Sequence, residues 1–141
     1  MNIQTLMKTI GDNGCLALCY LQMIGVTDLD KIPVIARAID EGILGPDCLV
    51  GNADKLLELG NWFNKYVFNR PCANPDIKFT VTKVTKYSKN LPVIANYEYN
   101  GKNHSVIVNG KTNEVLYNTL DKSNCVEFGK ITSYRIIEGI N

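Results

Sequence analysis

The chain has 141 residues, of which 45% are hydrophobic and 21% are charged, a composition typical of one globular domain with a sizeable core. Its 15 basic and 14 acidic side chains leave a formal charge of +1, so no strong field points to nucleic acid or an anionic membrane as partner. No run reaches the roughly 18 apolar residues of a membrane span, and residues 1–8 lack the pattern of a secretory signal. We therefore expect a cytoplasmic protein.

The hydrophobic pattern is helical up to about residue 60 and alternates in the manner of strands from about residue 77. Helices followed by strands favour an α+β fold over alternating α/β units. Short connections between the strands favour antiparallel neighbours. We predict a single domain over residues 1–141, in which residues 1–60 are mainly helical and residues 77–141 are mainly antiparallel strands.

Three helices are predicted in the first part of the chain. The first begins at Cys15, just after Gly14, and is closed by Gly25; because only Gln22 within it is strongly polar, it should be buried on most sides. The other two are predicted from about Asp30 to Leu44 and from Ala53 to Leu59.

The third helix has a polar N-cap candidate in Asn52 and a stop signal in Gly60. The aromatic residues that follow, Trp62, Phe63, Tyr66 and Phe68, are expected in a short strand or a packed loop.

Five strands are predicted in the second part, where β-branched and aromatic residues dominate. Asn100-Gly101 is a strong hairpin signal between two of them, because both residues tolerate positive φ. The predicted strands cover residues 77–82, 91–99, 103–109, 114–118 and about 132–137.

The chain contains five cysteines and one histidine, and no two cysteines are spaced C-x-x-C. In a reducing compartment the cysteines are expected to be free thiols, most of them small buried groups. A structural zinc site needs about four ligands, which these residues do not supply together. The sequence therefore predicts neither a metal nor a cofactor. The cysteines are Cys15, Cys19, Cys48, Cys72 and Cys125.

Cys15 has the position of a reactive thiol. The first turn of a helix offers unpaired amides and the positive end of the helix dipole, which both stabilise a thiolate. The alternative is that Cys15 is a core residue like Cys19.

His104 is the only histidine, so any cysteine–histidine pair must contain it. It lies at a strand start beside a hairpin turn, where a side chain is accessible. A third group is needed to orient the imidazole, and Asn118, at the end of the next predicted strand, is the first candidate. Asp121, in the following turn, is the alternative third member. Asn and Asp are also common in ordinary turns.

Two segments resemble a known family. The run from Asp12 to Ile24, DNGCLALCYLQMI, resembles the nucleophile helix of bacteriocin-leader-processing peptidases, a branch of the papain-like cysteine peptidases. The run from Asn103 to Asn118, NHSVIVNGKTNEVLYN, resembles the histidine strand of that branch and the strand after it. The helical middle is similar to small bacterial and phage proteins placed near the same branch.

The resemblance implies a papain-like fold, with N-terminal helices, among them a central buried nucleophile helix, packed on a C-terminal antiparallel sheet. It also implies peptide or amide hydrolysis through a thioester, with Cys15 as nucleophile, His104 as base and acid, and Asn118 as orienting residue. The substrate would be a peptide or a protein. One position departs from the family: Thr9 stands where these peptidases commonly have a glutamine that donates to the oxyanion.

Asn13, Gln4 or backbone amides are the substitute oxyanion donors. The departure at Thr9 also keeps two other hypotheses open. The chain could be an inactive binding or regulatory protein on the same scaffold, or a structural protein whose cysteines all belong to the core.

Overall fold

The computed structural model describes residues 3–120 and 123–140. In this part of the chain the α+β class is confirmed, since three helices precede a five-stranded antiparallel sheet that is interrupted by one short helix. None of the helices there combines the length and the hydropathy needed to cross a bilayer. The elements are α1 (Ile3–Met23), α2 (Asp28–Asp40), α3 (Ala53–Tyr66), β1 (Lys78–Val84), β2 (Pro92–Tyr99), β3 (Lys102–Asn109), β4 (Val115–Tyr117), α4 (Asn124–Phe128) and β5 (Lys130–Ile140).

The sheet has the strand order β1-β5-β2-β3-β4, and all its pairings are antiparallel. The last strand, β5, therefore inserts between β1 and β2. The predicted hairpin between β2 and β3 is confirmed, because Asn100 and Gly101 have φ values of 51° and 76°, as a type I′ turn requires. This tight turn fixes the register in which Tyr97 lies opposite His104.

Helix α1 is longer than predicted, since helical structure starts at Ile3 and not at Cys15. A break nevertheless occurs at the expected place, because Gly14 leaves the helical region with φ −131° and ψ 30°. Gly14 is buried, and a Cβ on it would lie 2.6 Å from the Cβ of Cys48. The glycine is thus required by close packing against Cys48, and Cys15 is the first residue after the break.

The segment of α1 after the break is the core of the molecule. Its residues 17 to 21 are at most 2% exposed, and α1 packs against α2, α3, β2 and β3. The prediction of a helix buried on most sides is therefore confirmed. The helix ends as predicted at Gly25, whose φ is 82° and whose amide, with that of Val26, bonds back to the carbonyls of Gln22 and Leu21.

Helix α2 ends earlier than predicted. It stops at Asp40, because Gly42 takes a φ of 73° and the amides of Gly42 and Ile43 bond back to the last turn. Ile43 and Leu44, which the predicted helix included, are buried beyond the helix end.

Helix α3 runs past its predicted stop. Asn52 is its N-cap and accepts a hydrogen bond from the amide of Lys55 at 3.1 Å, as predicted. Gly60 is an internal residue, since a Cβ there would lie 2.7 Å from Cδ1 of Ile24 and 2.9 Å from Cδ2 of Leu21. It allows α1 and α3 to approach closely. The helix continues to Tyr66, so Trp62, Phe63 and Tyr66 are helical, in contrast to the predicted strand or loop.

The contact between Gly14 and Cys48 makes a testable prediction about the break in α1. We expect Gly14→Ala to lower the free energy of unfolding by about 1–3 kcal/mol, because the new methyl group meets a Cβ that cannot rotate away. Cys48 has a φ of 65°, so Cys48→Gly removes the opposing Cβ at a position that glycine tolerates. The measurement is urea unfolding of both single variants and the double variant.

The cost of Gly14→Ala should be clearly smaller in the Cys48→Gly background than in the wild-type background. Equal costs in the two backgrounds would mean that this contact does not determine the break.

Candidate functional site

Cys15 lies where the second segment of α1 meets the edge of the sheet. Its thiol is only partly exposed, and the backbone amide of Ser105 in β3 donates a hydrogen bond to Sγ at 3.4 Å. One helical turn later, the buried thiol of Cys19 donates to the carbonyl oxygen of the same Ser105 at 3.4 Å. Two sulfur atoms spaced i,i+4 on α1 therefore satisfy both backbone groups of a single strand residue.

The reason for this contact is the shortness of β4. Its three residues pair with β3 only at Ile107 and Val108. The edge of β3 at Ser105 extends beyond β4, and α1 occupies this place. The sheet thereby fixes Cys15 directly beside the strand residue that follows His104.

His104 is buried, with 4% of its surface exposed, and its Nε2 lies 2.7 Å from Oδ1 of Asn118. The same Oδ1 accepts a hydrogen bond from the amide of Leu120 at 3.0 Å. A backbone amide can only donate, so the shared atom must be the oxygen of the Asn118 side chain. Nε2 must then carry a proton, which leaves Nδ1 as the unprotonated nitrogen of the neutral ring.

The side chain of His104 also faces the thiol of Cys15 and lowers its pKa through a hydrogen bond. Because Nε2 is directed at Asn118, we assign this second bond to Nδ1. The structure therefore brings together the three residues Cys15, His104 and Asn118 that the sequence singled out, in a chain that runs from sulfur to imidazole to carboxamide.

The pKa of the Cys15 thiol is lowered from its ordinary value. Burial acts to raise this pKa, but it is outweighed by the hydrogen bond to His104, the amide of Ser105, the attraction between the thiolate and the protonated form of His104, and the amide of Leu16. Cys19 behaves in the opposite way, since burial raises the pKa of its thiol. Two cysteines one turn apart thus differ because only the first faces the imidazole and the amides at the helix break.

A buried lysine that sequence reasoning missed lies near Tyr117, the residue before Asn118. Lys31 has no exposed surface, and its Nζ donates to Oε1 of Gln22 at 2.6 Å and to Oδ1 of Asp28 at 2.8 Å. The same Nζ lies 5.2 Å from the ring centroid of Tyr117, the residue before Asn118. A signal existed, because Lys31 occupies the α2 face that also carries Val34, Ile35 and Ala38.

The other residues that the sequence singled out cannot be placed at the site, because the structure does not describe their side chains. Asp121, the alternative third member, lies outside the described residues. The side chains of Gln4, Thr9 and Asn13 lie outside them too, although the backbone of all three belongs to α1. Cys48 packs against Gly14, the residue before Cys15.

A cavity of about 480 Å³ opens beside His104. Its described lining is mostly polar and includes three asparagines and one lysine, and Cys15 is not part of it. The lining residues are Tyr99, Asn100, Lys102, Asn103, His104, Leu120, Ser123, Asn124 and Cys125.

Comparison of the chain with protein-family models, with curated proteins and with solved structures finds no match. The geometry around Cys15, His104 and Asn118 is therefore the basis for assigning a function.

The lowered pKa of Cys15 predicts its alkylation profile. The thiolate is the reacting form, so the rate of iodoacetamide labelling should rise with a midpoint below the ordinary value of 9.0. In His104→Ala the pH midpoint of Cys15 labelling should move upward, because burial still raises the pKa of the thiol and fewer groups remain to stabilise the thiolate. The measurement is the labelling rate of each cysteine against pH, followed by mass spectrometry of peptides.

Cys72 is the internal control, since it is also partly exposed and lies in the loop before β1. A midpoint for Cys15 at or above 9.0, or one that His104→Ala leaves in place, would contradict the account of this thiol.

Proposed function

We propose that the chain is a cysteine hydrolase with a papain-like fold that cleaves a peptide or a related amide bond. Cys15 is the nucleophile, His104 is the general base and then the general acid, and Asn118 orients the imidazole. The observation that carries the proposal is the contact of 2.7 Å between Nε2 of His104 and Oδ1 of Asn118, beside a Cys15 thiol whose pKa His104 lowers.

The order of elements supports the papain-like assignment. The nucleophile follows a break in a helix that is buried against the sheet, the histidine lies on β3, and the asparagine directly follows the neighbouring strand β4. The three side chains thus come from three different elements. Their approach depends on tertiary structure, which a chance spacing in the sequence would not produce.

The chemistry follows from the protonation state of His104. With Nε2–H bonded to Asn118, Nδ1 accepts the proton of the Cys15 thiol, and Sγ attacks the carbonyl carbon of the amide. The imidazolium then gives this proton to the departing amine nitrogen, the C–N bond breaks, and a thioester to Cys15 remains. Nδ1 next accepts a proton from water, the resulting hydroxide attacks the thioester carbon, and Sγ leaves and recovers the proton.

The oxyanion of both tetrahedral intermediates needs donors. Thr9 does not provide the carboxamide that the peptidase family places six residues before the nucleophile. The amides at the start of the helical segment that begins with Cys15 are the proposed donors, because the backbone leaves helical geometry at Gly14, directly before this segment. A backbone donor set makes the activity independent of Asn13 and Gln4.

A second candidate function is an inactive binding or regulatory protein on the same scaffold. The observation in its favour is Thr9 in place of the glutamine. This candidate predicts a reactive Cys15 without turnover, so acylation and deacylation separate the two functions.

Asn118 gives the sharpest test of the hydrolase. Asn118→Ala should reduce steady-state hydrolysis of p-nitrophenyl acetate by about 10- to 100-fold, because a misoriented imidazole loses general acid–base catalysis. Asn118→Asp should retain much more activity, since a carboxylate oxygen still accepts from Nε2–H of His104 and from the amide of Leu120. The readout is the release of p-nitrophenol after the first turnover.

Cys15→Ser provides the background rate. Equal activity of the Ala and Asp variants would contradict the role given to Asn118, and a wild-type rate no higher than that of Cys15→Ser would contradict the hydrolase itself.

A further inference from the structure

The feature that the proposed mechanism leaves unused is the buried ammonium group of Lys31. Its side chain is 0% exposed, in contrast to its acidic partner Asp28, whose side chain is 63% exposed. Desolvation lowers the pKa of Lys31, and the neighbouring Asp28 acts to raise it. Burying an ammonium group is costly unless each N–H finds a partner.

The ammonium group of Lys31 has three partners among the described residues. Two N–H groups donate to Gln22 and Asp28, and the aromatic ring of Tyr117 lies within cation–π range at 5.2 Å from Nζ. Gln22 belongs to α1, Asp28 and Lys31 belong to α2, and Tyr117 ends β4. One buried charge thus joins the nucleophile helix to the strand that carries Asn118.

Strand β4 has few other anchors. It is an edge strand of three residues, and a register shift occurs where Val108 faces Val115 and Ile107 faces Tyr117, so Leu116 is an extra residue. Val115 and Leu116 are 37% and 50% exposed. Tyr117 is half-buried and packs against the main core, in contrast to its exposed neighbours in β4.

We propose that Lys31 is a positioning residue for the hydrolytic site, an inference that rests on the proposed function. By holding the ring of Tyr117, Lys31 fixes the backbone at Asn118 and therefore the position of Oδ1. This oxygen must stay within hydrogen-bond distance of Nε2 of His104 to keep Nδ1 unprotonated and directed at Cys15. Lys31 touches neither the substrate nor the reacting atoms.

The test replaces the charge while keeping the volume. Lys31→Met removes the cation–π contact to Tyr117. Gln22 and Asp28 are exposed, so water can replace the lysine as their hydrogen-bond partner. Tyr117→Leu removes the same contact from the other side. Lys55→Met is the matched control, since Lys55 is an exposed helical lysine with no part in the site.

The single histidine supplies a readout that a general loss of stability would not move. In protein labelled with ¹⁵N-histidine, the Nε2–H of His104 should give a sharp signal in the wild type and in Lys55→Met at neutral pH. In folded Lys31→Met the signal should broaden or vanish, and kcat for p-nitrophenyl acetate should fall about 10-fold at unchanged KM. Lys31→Met combined with Asn118→Ala should be no slower than Asn118→Ala alone.

A folded Lys31→Met with the wild-type signal and kcat would overturn the proposal. Where Lys31→Met does not fold, as judged by circular dichroism, folded Tyr117→Leu decides by the same two readouts. Because the ¹⁵N signal needs no substrate, it separates this inference from the proposed function. A wild type that shows the signal but does not turn over contradicts the hydrolase, while loss of the signal in Lys31→Met still supports positioning by Lys31.

Discussion

The architecture of the site depends on the contact between α1 and the open edge of β3 at Ser105. A strand edge presents amide and carbonyl groups that need partners, and here the sulfur atoms of Cys15 and Cys19 provide them. This contact ties the buried segment of α1 to the strand of His104. It also gives the two thiols different environments, since the first receives an N–H group and the second donates to a carbonyl oxygen.

The break at Gly14 and the shortness of β4 allow this contact to place Cys15 beside His104. Without the break, Cys15 would be an ordinary position in the middle of a long helix, with its neighbouring amides fully engaged. A longer β4 would pair with β3 at Ser105 and exclude α1 from this edge. Asn118 comes directly after the last residue of β4, so the same short strand that leaves room for Cys15 also delivers the partner of His104.

Local signals were sufficient for much of the fold and for the candidate site. The alternation in the strands, the Asn100-Gly101 turn and the cap at Asn52 are encoded within a few residues, and all three are found in the structure. The juxtaposition of Cys15, His104 and Asn118 was also expected, because there is one histidine to pair with and because β3 and β4 are joined by a short turn.

The features that sequence reasoning missed are set by tertiary contacts. Gly60 has the local character of a helix stop, but it lies inside α3 because α1 packs against it. Gly42 ends α2 at a point where the apolar pattern continues into Ile43 and Leu44. Lys31 was overlooked because a lysine on a helix is normally exposed, and its partners Gln22 and Tyr117 come from distant parts of the chain.

In the proposed reaction Cys15 carries the acyl group during hydrolysis, and the acylated residue can be identified directly. A rapid acid quench of the protein during reaction with an activated acyl ester, followed by mass spectrometry of peptides, locates the acyl group. We expect a thioester on Cys15, labile to hydroxylamine, that accumulates and then decays in the wild type and is missing in Cys15→Ser. Acylation spread over Cys19, Cys48, Cys72 and Cys125, or none at Cys15, would contradict the proposed reaction.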